Sequence, residues 1–135
     1  MALIDWNPAY SVKVKKFDDQ HKKLIELINQ LHDAMKAGEG DVMLGTVLKS
    51  LISYTDAHFG EEIRMLQHNG YPELAKHKAE HDKFVARVHD LQKKHQMGTP
   101  MLTMNTRSFL KDWLVTHIQK EDQRYSQYLN SKGIS

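Results

Sequence analysis

Residues able to bind a transition metal recur on the apolar stripes of this sequence. They are His58, Glu62, His77, His81 and His117. On a helix they would face the same side as the neighbouring leucines, which follow the same three- and four-residue intervals. A single buried histidine is commonly satisfied by one hydrogen bond, but several imidazoles and a carboxylate buried together need a shared partner. The set therefore indicates a metal site.

Helical spacing brings these residues together in pairs. Positions four apart in an α-helix differ by about 40° around the axis and by about 6 Å along it. His58 and Glu62 can therefore converge on one point. The same holds for His77 and His81, and two histidines on adjacent turns form a good metal clamp. His21 in the first predicted helix would complete a set of ligands contributed by every helix.

The position of a second carboxylate is left open by spacing. Asp122 lies five residues after His117, about 140° around an ideal helix, whereas Glu121 lies four residues after it and is better aligned. Asp122 nevertheless continues the stripe that contains Ile118 and Tyr125, from which it would flank the helix seam on the side opposite His117. Spacing alone favours neither acidic residue.

An N-terminal arm and four helices are predicted to position these side chains. The arm, residues 1–17, is expected to be extended and packed on the bundle. The helices are expected from Asp18 or Asp19 to Gly38, from Gly40 and Asp41 to Asn69 and Gly70, from Pro72 to a point before Gly98, and from about Leu102 to Leu129. Short connections favour an all-α, up-down-up-down four-helix bundle over residues 18–130, within a single domain of residues 1–135.

Composition excludes several classes of function. The 19 basic and 17 acidic residues give a net charge of +2, which provides no electrostatic footprint for nucleic acid. The absence of cysteine excludes thiolate zinc sites, iron–sulfur clusters and thiol nucleophiles. No run of apolar residues is long enough to span a membrane, and the N-terminus is unlike a signal peptide. We therefore expect a soluble, cytoplasmic protein that does not associate with membranes.

Motifs spread over nearly the whole chain carry a resemblance to a known family. They are Trp6 with Tyr10-Ser11-Val12, Asp18-Asp19-Gln20-His21, His58-Phe59-Gly60-Glu61-Glu62, His77-Lys78-Ala79-Glu80-His81, and Trp113-Leu114-Val115-Thr116-His117-Ile118 followed by Asp122. In these segments the sequence resembles the hemerythrin family, and specifically its single-domain bacteriohemerythrins.

The resemblance implies two non-haem iron ions with different numbers of terminal ligands. One iron would be bound by His77, His81 and His117. The other would be bound by His21 and His58, which leaves it with an open position. Dioxygen would bind reversibly at that position and be held there as a peroxide.

The resemblance also implies the groups that bridge the irons and surround the oxygen. Glu62 and Asp122 would bridge both ions, which decides between the two acidic candidates, and a solvent-derived oxo or hydroxo group would form a third bridge. The residues expected to line the oxygen pocket are Leu24, Phe59, Trp113, Leu114 and Ile118. Each of them also suits ordinary core packing.

We expect an oxygen carrier or store and not an enzyme, with dioxygen as the partner and any oxygen-consuming protein partner unidentified. A di-iron oxidase or scavenging enzyme, an oxygen or iron sensor, and a structural zinc site are the alternatives. Tyr54, one turn before His58, is expected to be a packing residue, with a hydrogen bond to the site or a redox role as the alternatives. The remaining histidines are expected at the surface or rim: His32, His68, His89 and His95.

Overall fold

Helices occupy most of the chain, as the apolar stripes predict. The computed structural model describes residues 3–98 and 102–135, apart from the side chain of Glu121. Helix α1 spans Lys15–Lys36, α2 Gly40–His68, α3 Leu74–Gln96, α4 Leu102–Thr116 and α5 Gln123–Ser131. A π-helical turn, His117–Asp122, joins α4 to α5. These last three segments follow one another without interruption and together form the fourth rod of the bundle.

The rods pack in the order in which they follow along the chain. Helix α1 contacts α2, α2 contacts α3, α3 contacts α4, and α4 returns to α1. No strand occurs among the residues that the structure describes. This arrangement confirms the predicted all-α four-helix bundle.

The helices bury the stripes that the sequence marks as apolar. In α1 the buried residues Leu24, Ile28 and Leu31 recur at intervals of about one turn and face the core. Helix α2 ends where expected, because Gly70 adopts a φ of +70°, a left-handed conformation that glycine enters at little cost. None of the helices in the described ranges is long and apolar enough to cross a bilayer.

The start of α1 differs from the prediction. We expected Asp18 or Asp19 to cap this helix, but the helix begins at Lys15. Asp18 instead accepts hydrogen bonds from the hydroxyl of Ser11 at 2.6 Å and from the backbone N–H of Val12 at 2.8 Å. The Asp18 carboxylate thus holds the arm against the first turn of α1, and the helix begins before Asp18.

The arm packs along the bundle: Ile4 belongs to the larger apolar core, and Val12 and Val14 belong to a second, smaller core. Pro8–Tyr10 form a single 3₁₀ turn, so the arm is not extended throughout. The members of the smaller core are Val12, Val14, Phe17, Leu66, Tyr71, Tyr125 and Leu129. The side chain of Gln123 holds the arm by donating to the carbonyl of Ser11 at 2.7 Å.

Candidate metal centre

All seven predicted ligands lie inside the bundle, and each is at most 4% exposed. Every rod contributes at least one: α1 provides His21, α2 provides His58 and Glu62, α3 provides His77 and His81, and the π-helical turn provides His117 and Asp122. Residues that are far apart in the sequence are therefore neighbours in the core.

The seven side chains form two groups that share one carboxylate. In the three-histidine group, one nitrogen or oxygen from each member lies within 4.8 Å of the others; its members are Glu62, His77, His81, His117 and Asp122. The two-histidine group, His21, His58 and Glu62, meets the same distance limit. Two adjoining clusters that share an acidic residue suit a pair of neighbouring metal ions.

Glu62 faces both groups because its two oxygens point to different histidines. Its Oε1 lies 2.5 Å from Nε2 of His77 and 3.0 Å from Nε2 of His81. Its Oε2 lies 3.4 Å from Nε2 of His58 and 3.9 Å from Nε2 of His21. A carboxylate placed in this way can give one oxygen to each of two ions.

Asp122 repeats this arrangement. Its Oδ1 lies 3.0 Å from Nε2 of His117 and 3.4 Å from Nε2 of His77, and its Oδ2 lies 3.0 Å from Nε2 of His21. The side chain of Glu121, the alternative by spacing, lies outside the described residues.

The π-helical turn explains how Asp122 reaches the site from a position five residues after His117. The N–H of Gln123 donates to the carbonyl of Ile118, a hydrogen bond that spans five residues instead of four. The wider turn brings residues five apart close to alignment, whereas an ideal α-helix would separate them by about 140°. Spacing could not decide between Glu121 and Asp122 because it assumed a regular α-helix.

The orientation of the buried polar atoms fits bound metal. Nε2 of His21, Nε2 of His81 and both oxygens of Asp122 are buried without a hydrogen-bond partner among the described residues. His21 and Asp122 are close to each other, but their geometry is not that of a hydrogen bond. Unsatisfied buried groups of this kind each cost a few kcal/mol, so their concentration at one point suits a bound cation.

Electrostatics favour the neutral imidazole of His58 and His81 and the ionised carboxylate of Glu62. Burial lowers the pKa of His58 to about 4, and burial also lowers the pKa of His81. Burial acts against ionisation of Glu62, yet the neighbouring imidazoles of His77 and His81 hold its pKa well below the ordinary value. Near neutral pH these three groups are therefore in the protonation state that metal binding needs.

Aromatic rings pack directly on two of the histidines. The ring of Phe59 stacks on His81 with centroids 3.7 Å apart, and Trp113 stacks on His117 at 4.4 Å. Of the five predicted pocket residues, Trp113 is half-buried and the other four are buried. Phe59 and Trp113 thus cover the three-histidine group, and the ring of Phe59 also lies 5.6 Å from that of His58 in the two-histidine group.

Two residues that contact the site were not identified from the sequence. The hydroxyl of Tyr125 donates to Oε2 of Glu62 at 2.8 Å. Oε1 of Gln20 lies 2.5 Å from Nδ1 of His58. Their sequence positions gave a weak signal, since Gln20 adjoins a predicted ligand and Tyr125 follows Asp122 by about one turn. Tyr54, the tyrosine singled out from the sequence, packs half-buried against the larger apolar core.

The remaining four histidines lie away from the two groups. His68 and His89 are exposed. His32 is half-buried beside Arg107, whose Nη1 lies 3.1 Å from Nδ1 of the histidine. His95 is half-buried against α2, with Nε2 3.3 Å from the carbonyl of Asp41.

Comparisons with known proteins point to one family and one fold. The family model described as the hemerythrin HHE cation binding domain matches residues 12–129. A bacteriohemerythrin of Methylococcus capsulatus (Bath) is 41% identical over 97% of this chain and 100% of the relative. One from Stenotrophomonas maltophilia R551-3 is 31% identical over 97% of this chain and 84% of the relative. A crystal structure of wild-type hemerythrin, 41% identical, superposes with a TM-score of 0.84 and covers 93% of this chain and 97% of that one.

Proposed function

Because this chain belongs to the hemerythrin family, we propose that it binds dioxygen reversibly at a pair of non-haem iron ions. The observation that carries the proposal is the pair of buried ligand groups that share Glu62. When bound, the iron pair would supply the electrons that hold dioxygen and would take them back on its release. The protein positions the ions and keeps water away from them.

We assign the terminal ligands by group. His77, His81 and His117 would hold one ion through Nε2. His21 and His58 would hold the other in the same way. The two-histidine group provides fewer protein ligands, so we place the dioxygen-binding position on its side.

Glu62 and Asp122 would serve as the bridging carboxylates, together with a solvent-derived oxo or hydroxo bridge. The support for this role is that each carboxylate directs one oxygen to each group of histidines. The pKa of both carboxyls lies below the ordinary range, so both are ionised at neutral pH. Two negative charges then balance part of the charge of the ions.

The apolar side chains around the ligands would exclude water from the site. These side chains are those of Leu24, Phe59, Trp113, Leu114 and Ile118. A water-poor surrounding limits the side reactions of a redox-active centre. It is therefore compatible with a carrier or store.

Repeated oxygenation tests the proposal directly. The iron-loaded protein is reduced without oxygen, exposed to air and then deoxygenated, while its visible absorption is recorded. We expect a charge-transfer band that appears with air and fades on deoxygenation over several cycles. Irreversible bleaching, or consumption of an added reductant, would instead favour a di-iron oxidase.

Ligand replacement tests the site itself. His81→Ala removes a nitrogen from the three-histidine group, so we expect the isolated protein to retain less iron per chain than the wild type. His89→Ala is the matched control, because His89 is exposed on the same helix. Equal iron content in the wild type and both variants would contradict the assignment.

A cytoplasmic location and the absence of a nucleic-acid partner remain predictions from composition, and any oxygen-consuming protein partner is unidentified. Fractionation of the native cells, followed by immunodetection, would test the location. Recovery in the membrane or exported fraction would contradict it.

A further inference from the structure

The imidazole of His58 is held on the side that faces away from the metal centre. Its Nε2 faces Glu62, whereas its Nδ1 lies 2.5 Å from Oε1 of Gln20. The amide nitrogen of Gln20 donates in turn to Oε2 of Glu61. The other oxygen of Glu61 lies 3.5 Å from Nζ of Lys16 at the surface. A chain of polar contacts therefore connects a buried histidine with solvent.

Hydrogen-bond chemistry fixes the direction of this chain. An ionised carboxylate can only accept, so Glu61 requires the NH₂ group of Gln20 to point towards it. The amide oxygen of Gln20 must then point to His58, whose Nδ1 has to carry the proton and donate. In a neutral imidazole with the proton on Nδ1, Nε2 is left with a free lone pair. That is the atom directed at the metal centre.

The other histidine of the same group lacks such an anchor. Nδ1 of His21 is buried without a hydrogen-bond partner in the described part of the chain. Of the two imidazoles in the two-histidine group, His58 is thus the one whose tautomer is set from outside the site.

The anchor also links two helices by residues that each adjoin a ligand. Gln20 precedes His21 on α1, and Glu61 precedes Glu62 on α2. The side chains of Gln20 and Glu61 meet between the two helices.

We propose that Gln20 and Glu61 are positioning residues that hold His58 as the Nδ1–H tautomer and so keep its Nε2 available to the metal. The role of Nε2 as a metal donor rests on the function proposed above. The carboxylate polarises the amide, and the amide in turn accepts more strongly from the imidazole. Outer partners of ligand histidines typically contribute 10–100-fold to metal affinity.

The first test removes the links one at a time. Gln20→Leu deletes the acceptor for Nδ1–H, and Glu61→Gln deletes the charge that orients the amide. We expect iron affinity, measured by competition with a chelator, to fall about 10–100-fold in Gln20→Leu and less in Glu61→Gln. The control is Glu26→Gln, an exposed glutamate on α1 whose side chain is 57% accessible.

The second test exchanges the two groups. In the double variant Gln20→Glu/Glu61→Gln, a carboxylate at position 20 accepts from both His58 and the amide at position 61. We expect this variant to recover iron affinity to near the wild-type value, which loss of packing alone could not explain. A double variant weaker than Glu61→Gln would overturn the proposal.

A third readout does not depend on iron. Imidazole ¹⁵N spectra of the full chain before iron loading report which nitrogen of His58 carries the proton. We expect the Nδ1–H form in the wild type and a mixture of tautomers in Gln20→Leu and Glu61→Gln. The Nε2–H form in the wild type would overturn the inference. A wild type that takes up no iron would refute the proposed function, but the spectra would still show which tautomer His58 adopts.

Discussion

Glu62 is the side chain on which the site depends most. It is fully buried, and the imidazoles of His58, His77 and His81 and the hydroxyl of Tyr125 surround it. An ionised carboxylate in a protein interior is tolerated only where such partners or a cation compensate for lost hydration. The same surroundings make the site sensitive to acid and to the loss of a single hydroxyl.

Acid should destabilise the iron-free chain through His58. Its pKa is about 4 in the folded protein against an ordinary value of 6.5, so the unfolded state binds more protons between these values. The free energy of unfolding should therefore fall as the pH drops from 6.5 to 4, by about 3 kcal/mol from this residue. Urea unfolding between pH 7 and pH 4 measures it. A free energy that is constant over this range would contradict the prediction.

Removing the Tyr125 hydroxyl should destabilise the fold. Tyr125→Phe deletes a buried hydrogen bond to a charged acceptor, Glu62, and should lower the free energy of unfolding by about 1.5–3 kcal/mol. Tyr54→Phe is the control at a half-buried position and should stay within about 0.5 kcal/mol of the wild type. Equal effects of the two substitutions would show that the contact with Glu62 is unimportant.

At the scale of elements, the π-helical turn and α2 show how helix geometry is adapted to the site. The turn brings His117 and Asp122 to one side of the fourth rod. Helix α2 carries Glu62 and His58 on its core face, and it also contains two interior glycines, Gly45 and Gly60, with different surroundings.

Those two glycines should respond differently to alanine. A Cβ at Gly60 would meet nothing within 4 Å, whereas one at Gly45 would lie 2.9 Å from Cε1 of His95. Gly60→Ala should stabilise the protein by about 0.5–1 kcal/mol, because alanine has the higher helix propensity. Gly45→Ala should stabilise the protein less than Gly60→Ala does, or should destabilise it, because His95 has to move. Thermal unfolding of both variants measures the difference, and an equal gain in both would contradict the steric argument.

At the scale of the molecule, the site joins all four rods and lies beside the smaller core. Phe17 from the start of α1 contacts the rings of His58 and Tyr125 with centroids 6.1 and 5.8 Å away. The arm, α1, α2 and α5 thus pack together immediately outside the ligands. A cation bound by ligands from every rod would cross-link the bundle at its centre.

Removal of iron should therefore lower the stability of the whole chain. A ligand present at 100 times its dissociation constant stabilises the folded state by about 2.7 kcal/mol. We expect chelator treatment to lower the unfolding temperature of the iron-loaded protein in calorimetry. The same treatment of His81→Ala should have a smaller effect, because that variant holds less iron. An unchanged unfolding temperature of the treated wild type would contradict the proposal that the bound cation cross-links the bundle.

The sequence by itself determined the features that follow from local geometry. The four-residue spacing of His58 with Glu62, and of His77 with His81, placed each pair on one helix face before any contact between helices was known. The apolar stripes predicted four helices, and the bundle followed from their number and short connections.

The tertiary structure decided what depends on distant contacts or on irregular backbone. The geometry that brings Asp122 to the ligands requires a π-helical turn, which apolar periodicity does not reveal. Gln20 and His58 are 38 positions apart in the chain, and Glu62 and Tyr125 are 63 apart. Such pairs meet only when whole helices pack. Side-chain spacing fixes positions around one axis, whereas packing fixes the rotation and height of each helix relative to the others.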